Sequence, residues 1–345
     1  MEHIMAKHLV FGAGLIGSYL GASLLHKNQN VTFLARSHSV NKLSKGIILT
    51  DYLEHRVEVN NITFLLPGSE TEHSFDIIWL TVKCTAVQDS LAQLQLLVNH
   101  QTTIICCQNG LGSESAIKTA FPNNRVLRAM VPFNVVEIAD GHFHRGSEGR
   151  LTIESCTDDR NFTKQLIASI DSPILAFSIC TQMTWLLWAK LQLNLGNSVN
   201  ALANIPVKHM LQQRKYRLVI AQMMRELLLV TDAKGIVLPK VTSVSAHSLP
   251  FVLSLPDFIF KIVANRTLAI DENVRTSMWW DISNGKQTEI DYLNGAIVEE
   301  GAKLGIAAPV NKKVIELIYQ LTNNPQTITE LMSAVELYNT TMKSC

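Results

Sequence analysis

The run Val10-Phe11-Gly12-Ala13-Gly14-Leu15-Ile16-Gly17 constrains this chain more than any other stretch, because it sets a G-x-G-x-x-G turn directly behind an apolar strand and ahead of an apolar helix. A dinucleotide site requires that context. The first glycine permits the tight turn, the second lets the backbone approach a pyrophosphate with no Cβ in the way, and the third allows close helix-to-strand packing. Unpaired N–H groups at the helix start would then face the phosphates. Glycine-rich turns also occur as plain strand-to-helix connections, so the flanking strand (Lys7 to Phe11) and helix (Ile16 to His26) carry the inference. Gly12, Ala13, Gly14, Leu15, Ile16 and Gly17 are the candidate cofactor-binding turn.

A second strand, Asn30-Val31-Thr32-Phe33-Leu34-Ala35, ends on Arg36, about twenty residues past the glycines, where an NAD-binding chain usually carries Asp or Glu. An acid there would hold the ribose 2′-hydroxyl and repel a 2′-phosphate. Arg36 offers instead a planar cation suited to a phosphate dianion, with Ser37 and Lys42 placed to assist, which points to NADP rather than NAD. A solvated arginine at a strand end is the plainer alternative.

With 345 residues the chain is long enough for two domains, and a composition of 47% hydrophobic against 17% charged residues describes a globular protein with a large interior. A formal net charge of +1 supplies no field to attract nucleic acid or an anionic membrane, so neither is an expected partner. The six cysteines include no C-x-x-C pair and no histidine at ligand spacing, which argues against a metal site and against a disulfide framework. The N-terminus lacks a cleavage site. The apolar stretches Trp185 to Leu195 and Leu249 to Val263 are interrupted by Lys190 and by Pro250 and Pro256. The expected location is cytoplasmic, and the sequons at Asn61, Asn161, Asn265 and Asn339 are then chance matches.

Short β-rich runs alternate with helical patterns in the first half, the signature of a doubly wound parallel sheet. The strands read as Lys7 to Phe11, Val31 to Leu34, Ile77 to Val82, Thr103 to Cys106, Val126 to Val131 and Arg150 to Ile153, with antiparallel additions between Leu43 and Leu66 and a final extended segment from Ile174 to Ile179. From Thr181 the chain reads as long helices: Thr181 to Ala203, Val207 to Lys234, a proline-interrupted region from Leu238 to Ile270, Thr288 to Leu304 and Asn311 to Leu321. The expected fold class is thus α/β, a Rossmann-type sheet domain over 1–180 followed by an all-helical domain over 181–345.

Within the otherwise apolar run Trp185 to Asn197, the residues Lys190, Asn194 and Asn197 fall at i, i+4 and i+7, one polar stripe on a continuous helix. Facing a nicotinamide, Lys190 is a candidate proton donor with the asparagines as orienting partners. Facing solvent, the lysine simply snorkels along the stripe. Asn109, in Gln108-Asn109-Gly110-Leu111-Gly112, follows a strand at the carboxyl edge of the sheet, where ligands bind, although Asn-Gly is also a common turn. Lys83 ends another strand on that edge, where an exposed lysine is ordinary. Ser277 reads equally as a helix cap, and Glu289 as an acid placed for the helix dipole in a first turn.

Together these pieces resemble the ketopantoate reductase family over nearly the whole chain. GAGLIG at 12–17, Arg36, Val82-Lys83, QNGLG at 108–112, K-L-x-x-N at 190–194, S-M at 277–278, TEIDYLNG at 288–295 and the closing Gly305-Ile306-Ala307-Ala308-Pro309-Val310-Asn311 occur in the family's order. The resemblance implies a Rossmann-type domain and a helical domain with the active site in the cleft between them, and NADPH-dependent reduction of 2-dehydropantoate to pantoate on the way to coenzyme A. It implies that Lys190 protonates the nascent alkoxide, that Asn109, Asn194, Asn197 and Ser277 contact a small-molecule 2-oxo acid, and that Arg36, Lys83, Asn109 and Glu289 contact NADP. A homodimer is allowed for. Two departures bear on the substrate: Ser198 stands where the family's second helix asparagine is expected, so Asn197 or Asn200 must substitute, and Ala86 stands where glutamine is frequent. A paralogous reductase of another 2-oxo acid is the nearest alternative. A relative of the 6-phosphogluconate and glycerol-3-phosphate dehydrogenases fits the helical motifs less well, and a non-catalytic NADP-binding sensor would not need Lys190, Asn194, Ser277 and Glu289 together.

Overall fold

The structure, a computed structural model, describes residues 6–69, 74–156, 159–263, 273–323 and 332–343. Cys345, Asn265 and the end of the proline-interrupted region, 264–270, lie outside the described residues, as does the extreme N-terminus. The chain divides into two compact units, Met1–Met183 and Thr184–Cys345.

The first unit carries twelve strands among the described residues: β1 (Lys7–Phe11), β2 (Asn30–Leu34), β3 (Ile47–Asp51), β4 (Arg56–Val59), β5 (Thr63–Leu65), β6 (Ile77–Leu80), β7 (Thr103–Cys106), β8 (Arg125–Met130), β9 (Val135–Ala139), β10 (His142–Arg145), β11 (Leu151–Glu154) and β12 (Phe177–Cys180). Eight form one sheet in the order β12-β11-β8-β7-β6-β1-β2-β5, and every pairing is parallel except β11 with β8. Reading β5-β2-β1-β6-β7-β8 as successive sheet strands gives the dinucleotide-fold order 3-2-1-4-5-6. Successive residues of β1, β6 and β7 enter opposite cores: Val10, Trp79 and Ile105 on one face, Leu9, Leu80 and Ile104 on the other. A strand buried on both faces needs apolar residues at every position, which is why these runs are continuous rather than alternating.

The remaining strands form a second sheet, β4-β3-β10-β9. The helix Leu15–His26 touches strands of both sheets, and Gly17 to Leu24 are all buried. Its apolar character around the whole circumference follows from being covered on two sides. Several expectations need correction. The sheet strand Ile77 to Val82 stops at Leu80; the Thr81 amide still donates to the Phe11 carbonyl at 3.0 Å, and its hydroxyl folds onto the Phe11 and Gly12 carbonyls. Of the additions between Leu43 and Leu66, β3 and β4 are antiparallel, but β5 joins the main sheet parallel to β2. The hairpin of β9 and β10 went unread, since β9 exposes the apolar Val136 and Ile138 while β10 buries the charged Arg145, which obscures the usual alternation.

In the second unit the long helix Arg214–Ala233 lies at the centre, touching the helices Gly196–Ala203, Leu249–Ser254, Asn294–Lys303, Pro309–Asn323 and Ala334–Met342. The expected helix Thr181 to Ala203 begins at Met183 and passes Leu195 with helical dihedrals (φ −59°, ψ −27°) between Met183–Asn194 and Gly196–Ala203. Two helices expected as continuous are not: Val207 to Lys234 breaks between Leu211 and Arg214, and Thr288 to Leu304 begins as coil and a 3₁₀ turn, Ile290–Tyr292, before the helix at Asn294. No helix among the described residues is long and apolar enough to cross a membrane.

Candidate active site

The strand order of the main sheet reverses between β1 and β6, and a ligand of an open α/β sheet sits outside the carboxyl ends of the strands at such a point. The glycine turn follows β1 there. Gly12 has φ +112°, and a Cβ on it would lie 3.0 Å from Val82 Cγ1 and 3.2 Å from the Val82 nitrogen. A Cβ on Gly17 would lie 1.9 Å from the Gly12 carbonyl oxygen, so the helix reaches this close only without one. At Gly14, by contrast, a Cβ would meet nothing within 4 Å. The first and third glycines are therefore needed by the fold, while the second borders open space at the start of a helix whose first turn contains no acid. Leu15 is exposed and Ala13 and Ile16 partly so. These residues fit a pyrophosphate, which would meet first-turn N–H groups and no repelling charge.

Two residues that sequence reasoning missed hold this edge together. Thr81 donates through Oγ1 to the Gly12 carbonyl at 2.7 Å, and Gln108 donates through Nε2 to the carbonyls of Leu80 (2.7 Å) and Val82 (3.0 Å). The signal available was a polar residue set within each otherwise apolar strand end. The Cys84 thiol reaches the Asn109 carbonyl, so the Lys83 turn and the Asn109 loop are fastened to each other. Gly110 and Gly112 both have positive φ, 85° and 86°, which explains the glycines of that loop and leaves Asn109 exposed. Lys83 is partly buried, three residues past the end of β6.

Arg36 and Ser37 are exposed just beyond β2; the Arg36 carbonyl accepts from the Val40 amide at 3.0 Å, while its guanidinium has no hydrogen-bond or ion-pair partner among the described residues. Lys42 is not placed to assist it. Its ammonium binds Glu137 and lies 3.6 Å from Asp140, and the Glu137 hydrogen bond holds its pKa above the usual lysine value.

In the helical unit, Lys190 and Asn194 stand at the end of the helix Met183–Asn194 and are partly buried. Burial pushes the Lys190 ammonium pKa below its ordinary value. Leu195, between this helix and Gly196–Ala203, keeps right-handed helical dihedrals (φ −59°, ψ −27°), so the backbone conformation carries on from Lys190 and Asn194 toward Asn197. Asn197 belongs to Gly196–Ala203, and its carbonyl accepts from Thr276 Oγ1 at 3.3 Å. Asn200 is fully buried and occupied: Nδ2 donates to the Ile205 carbonyl (2.7 Å), and Oδ1 accepts from the Thr276 nitrogen and hydroxyl, both at 3.1 Å. Thr276 is the N-cap residue of Ser277–Ser283, so Ser277 is the first helical residue rather than the cap, and it is exposed. The Thr276 contacts thus bring Ser277 and Asn197 to neighbouring turns. Glu289 lies in no helical first turn; it precedes the 3₁₀ turn and is partly buried.

The asparagines of the two most distinctive helical motifs are engaged with each other. Asn294 donates to Asn311 Oδ1 (2.9 Å), and Glu226 accepts from the Val310 nitrogen (2.9 Å), the Asn311 nitrogen (3.0 Å) and Asn311 Nδ2 (2.7 Å). Glu226 is a buried carboxylate at the start of the helix Pro309–Asn323, and burial raises its pKa. Among the described residues no cluster of three or more His, Cys, Asp or Glu could hold a metal ion.

The family model described as Ketopantoate reductase PanE/ApbA matches residues 8–157, and the model Ketopantoate reductase PanE/ApbA C terminal matches residues 182–322. The 2-dehydropantoate 2-reductase of Streptococcus pyogenes serotype M6 is 22% identical over 315 residues, 90% of this chain and 96% of that protein. Among solved structures, the PanE/ApbA family ketopantoate reductase of Ralstonia eutropha JMP134 superposes with a TM-score of 0.76 at 22% identity, over 93% of this chain and 99% of that one. A D-mandelate dehydrogenase, solved as a ternary structure with NADH and anilino(oxo)acetate, gives a TM-score of 0.77 at 19% identity, over 93% and 100%. The two family models between them account for both units, and the chain belongs to the ketopantoate reductase family, a family of oxidoreductases.

Proposed function

We propose that this chain reduces a 2-oxo acid with NADPH, 2-dehydropantoate being converted to pantoate for coenzyme A synthesis. The observation that carries the reading is Lys190, a partly buried lysine whose pKa burial lowers, in the K-L-x-x-N motif of a chain whose glycine turn fits a dinucleotide. A bound nicotinamide cofactor supplies the hydride that the keto carbon receives. Gly14 and the first-turn amides of the following helix hold the pyrophosphate, with Ala13, Leu15 and Ile16 completing the turn. Arg36 takes the 2′-phosphate, and Lys83, Asn109 and Glu289 contribute further cofactor contacts. Lys190 donates its proton to the keto oxygen as negative charge develops there, so that carbonyl plus hydride plus proton gives the hydroxyl. A lowered pKa makes the ammonium a better proton donor than an exposed lysine. Asn194, Asn197 and Ser277 orient the substrate through neutral hydrogen bonds. The engagement of Asn200 within its own unit favours Asn197 as the second helix asparagine. The enzyme acts in the cytoplasm and forms a homodimer.

The direct test follows NADPH oxidation across a panel of 2-oxo acids that includes ketopantoate. A kcat/KM for ketopantoate well above that for pyruvate or phenylglyoxylate supports the assignment. Equal or better turnover of another member leaves the reductase chemistry and removes the pathway assignment. That second reading has its own support in the likeness to a D-mandelate dehydrogenase and in Ser198, which departs from the family pattern in the substrate helix.

A further inference from the structure

Among the described residues the buried arginines Arg145 and Arg217 are matched by carboxylates, Asp51 at 2.9 Å and Asp257 at 2.9 Å, and the partly buried Arg128 is matched by Glu154 through a two-pronged contact. Arg275 breaks this pattern. It is partly buried, its guanidinium lies over the Trp279 ring with 4.6 Å from Cζ to the centroid, and its Nη1 is buried with no hydrogen-bond partner. No carboxylate pairs with it among the described residues, and burial lowers its pKa.

The backbone that carries this cation is fixed. Arg275 precedes Thr276, whose amide and hydroxyl are tied to Asn200 and to the Asn197 carbonyl, and Trp279 donates through Nε1 to Asn204 Oδ1 at 2.7 Å. The indole that supports the guanidinium and the loop that leads to it are thus both anchored on the segment that bears Asn197. Leaving a desolvated donor unpaired is costly, and the anchoring prevents the side chain's platform from moving to find water. An anion would relieve that cost. A 2-oxo acid brings one: its carboxylate is a planar two-oxygen acceptor that matches a guanidinium fork. The other substrate candidates of this unit, Asn194, Asn197 and Ser277, are neutral, and Lys190 is assigned to the keto oxygen. Without Arg275 the substrate carboxylate has no counter-charge in the set.

We propose that Arg275 binds the carboxylate of the 2-oxo acid substrate and sets the preference of the site for carboxylic acids over neutral ketones. The proposal rests on the reading of the chain as a 2-oxo acid reductase. Ser277, two residues on, then adds a neutral hydrogen bond next to that anchor, and the indole of Trp279 keeps the fork oriented when the site is empty of substrate.

Equilibrium binding and turnover test it separately. Pantoate and its neutral amide are titrated calorimetrically into the NADP complex of the unaltered protein, Arg275→Gln and Arg275→Lys, and kcat/KM is measured for ketopantoate and its amide. The unaltered protein should bind pantoate at least tenfold more tightly than the amide. Arg275→Gln should weaken pantoate binding roughly ten- to a hundredfold and bring the acid-to-amide ratio close to one, with Arg275→Lys intermediate. The thermal midpoint and the NADPH dissociation constant of each variant should stay near those of the unaltered protein. An unchanged acid-to-amide ratio in Arg275→Gln overturns the proposal, as does a loss confined to NADPH affinity or to the thermal midpoint. If the unaltered protein binds neither pantoate, pyruvate nor oxamate, both this proposal and the reductase reading fall. If it turns over 2-oxo acids with the ratio insensitive to position 275, only this proposal does.

Discussion

At the scale of single residues, the decisive groups are those whose surroundings leave a charge with work to do. The Arg36 guanidinium is exposed past β2 with no partner among the described residues, whereas Lys42 is held by Glu137 and Asp140. One cation is therefore available to a 2′-phosphate and the other is not. Replacing Arg36 with Asp should weaken NADPH binding by about tenfold or more while changing NADH binding little, as read by fluorescence titration with each cofactor. Equal affinity of the unaltered protein for both cofactors would remove the basis for NADP selection. Lys190 is the other such group. Lys190→Ala should lower kcat by about a hundredfold or more with little change in the thermal midpoint, the signature of a lost proton donor rather than lost packing. The pH profile has a definite sign: a donor acts in its protonated form, so the rate holds below the Lys190 pKa and falls as pH rises through it. Because burial lowers that pKa, the fall begins at lower pH than an exposed lysine would give. A kcat that stays level from neutral pH to the ordinary lysine range in the unaltered enzyme would exclude Lys190 as the donor whose ionisation limits the rate.

At the scale of elements, the helix starts and breaks decide which motif residues face chemistry and which hold the fold. Asn294, in TEIDYLNG, donates to Asn311, in the closing G-I-x-x-P-x-N motif, and Asn311 in turn donates to the Glu226 carboxylate, which also accepts from two backbone amides at the start of Pro309–Asn323. Glu226→Ala strands three buried donors and should cost about 3 kcal/mol, read as a lowered urea midpoint. A loss of under about 0.5 kcal/mol would mean that water replaces the carboxylate there. This network also shows where sequence reading reaches its limit. The glycine turn, β1, β7 and a doubly wound parallel sheet were legible because each depends on local pattern: glycines where a Cβ collides, and apolar residues at every position of doubly covered strands; the place of β5 beside β2 was not, since strand pairing is long-range. The break between Leu211 and Arg214 was not legible, because it turns on one extended residue, Gln213 (φ −101°, ψ 111°), and glutamine is a good helix former that marks no stop. Glu226, Gln108 and Thr81 were missed for a related reason, since their partners lie far along the chain, and Arg275 because no carboxylate pairs with it among the described residues. The glycine turn supplies a sharper test at this scale. Gly17→Ala places a methyl group where the Gly12 carbonyl already sits, so the helix must retreat from β1 and cofactor affinity should fall by about tenfold or more. Unaltered NADPH affinity in that variant would show that the turn does not position the cofactor.

At the scale of the whole molecule, the first unit keeps a neutral imidazole inside its sheet. His8 in β1 is 1% exposed; its Nδ1 accepts from the Trp79 indole at 3.1 Å, and its Nε2 is buried without a hydrogen-bond partner. Desolvation pushes its pKa down from 6.5 to about 4, the Asp76 charge opposing the shift only in part. In the unfolded chain the same ring takes up a proton near its ordinary value. Between those two values the unfolded state therefore binds more protons than the folded one, and stability must fall as pH falls. The loss begins near pH 6.5 and is complete below about 4, where it amounts to about 3 kcal/mol. Glu226, whose pKa is raised, contributes with the opposite sign as pH rises through the carboxylate range, so it cannot be the source of this acid sensitivity. Asp51 and Glu154 have lowered pKa values, and their contributions are lost only below the ordinary carboxylate range. Urea midpoints measured by circular dichroism at pH 7 and pH 5 leave out the carboxylates with lowered pKa, which have yet to titrate in that interval; His142, whose pKa burial also lowers, contributes there with the same sign, so the His8 share is read from a His8 variant. The unaltered protein should be less stable at pH 5, and His8→Gln, which keeps an acceptor for the Trp79 indole, should lose most of that pH dependence even if it is less stable overall. The same drop between the two pH values in both proteins would place the sensitivity outside the β1–β6 pair.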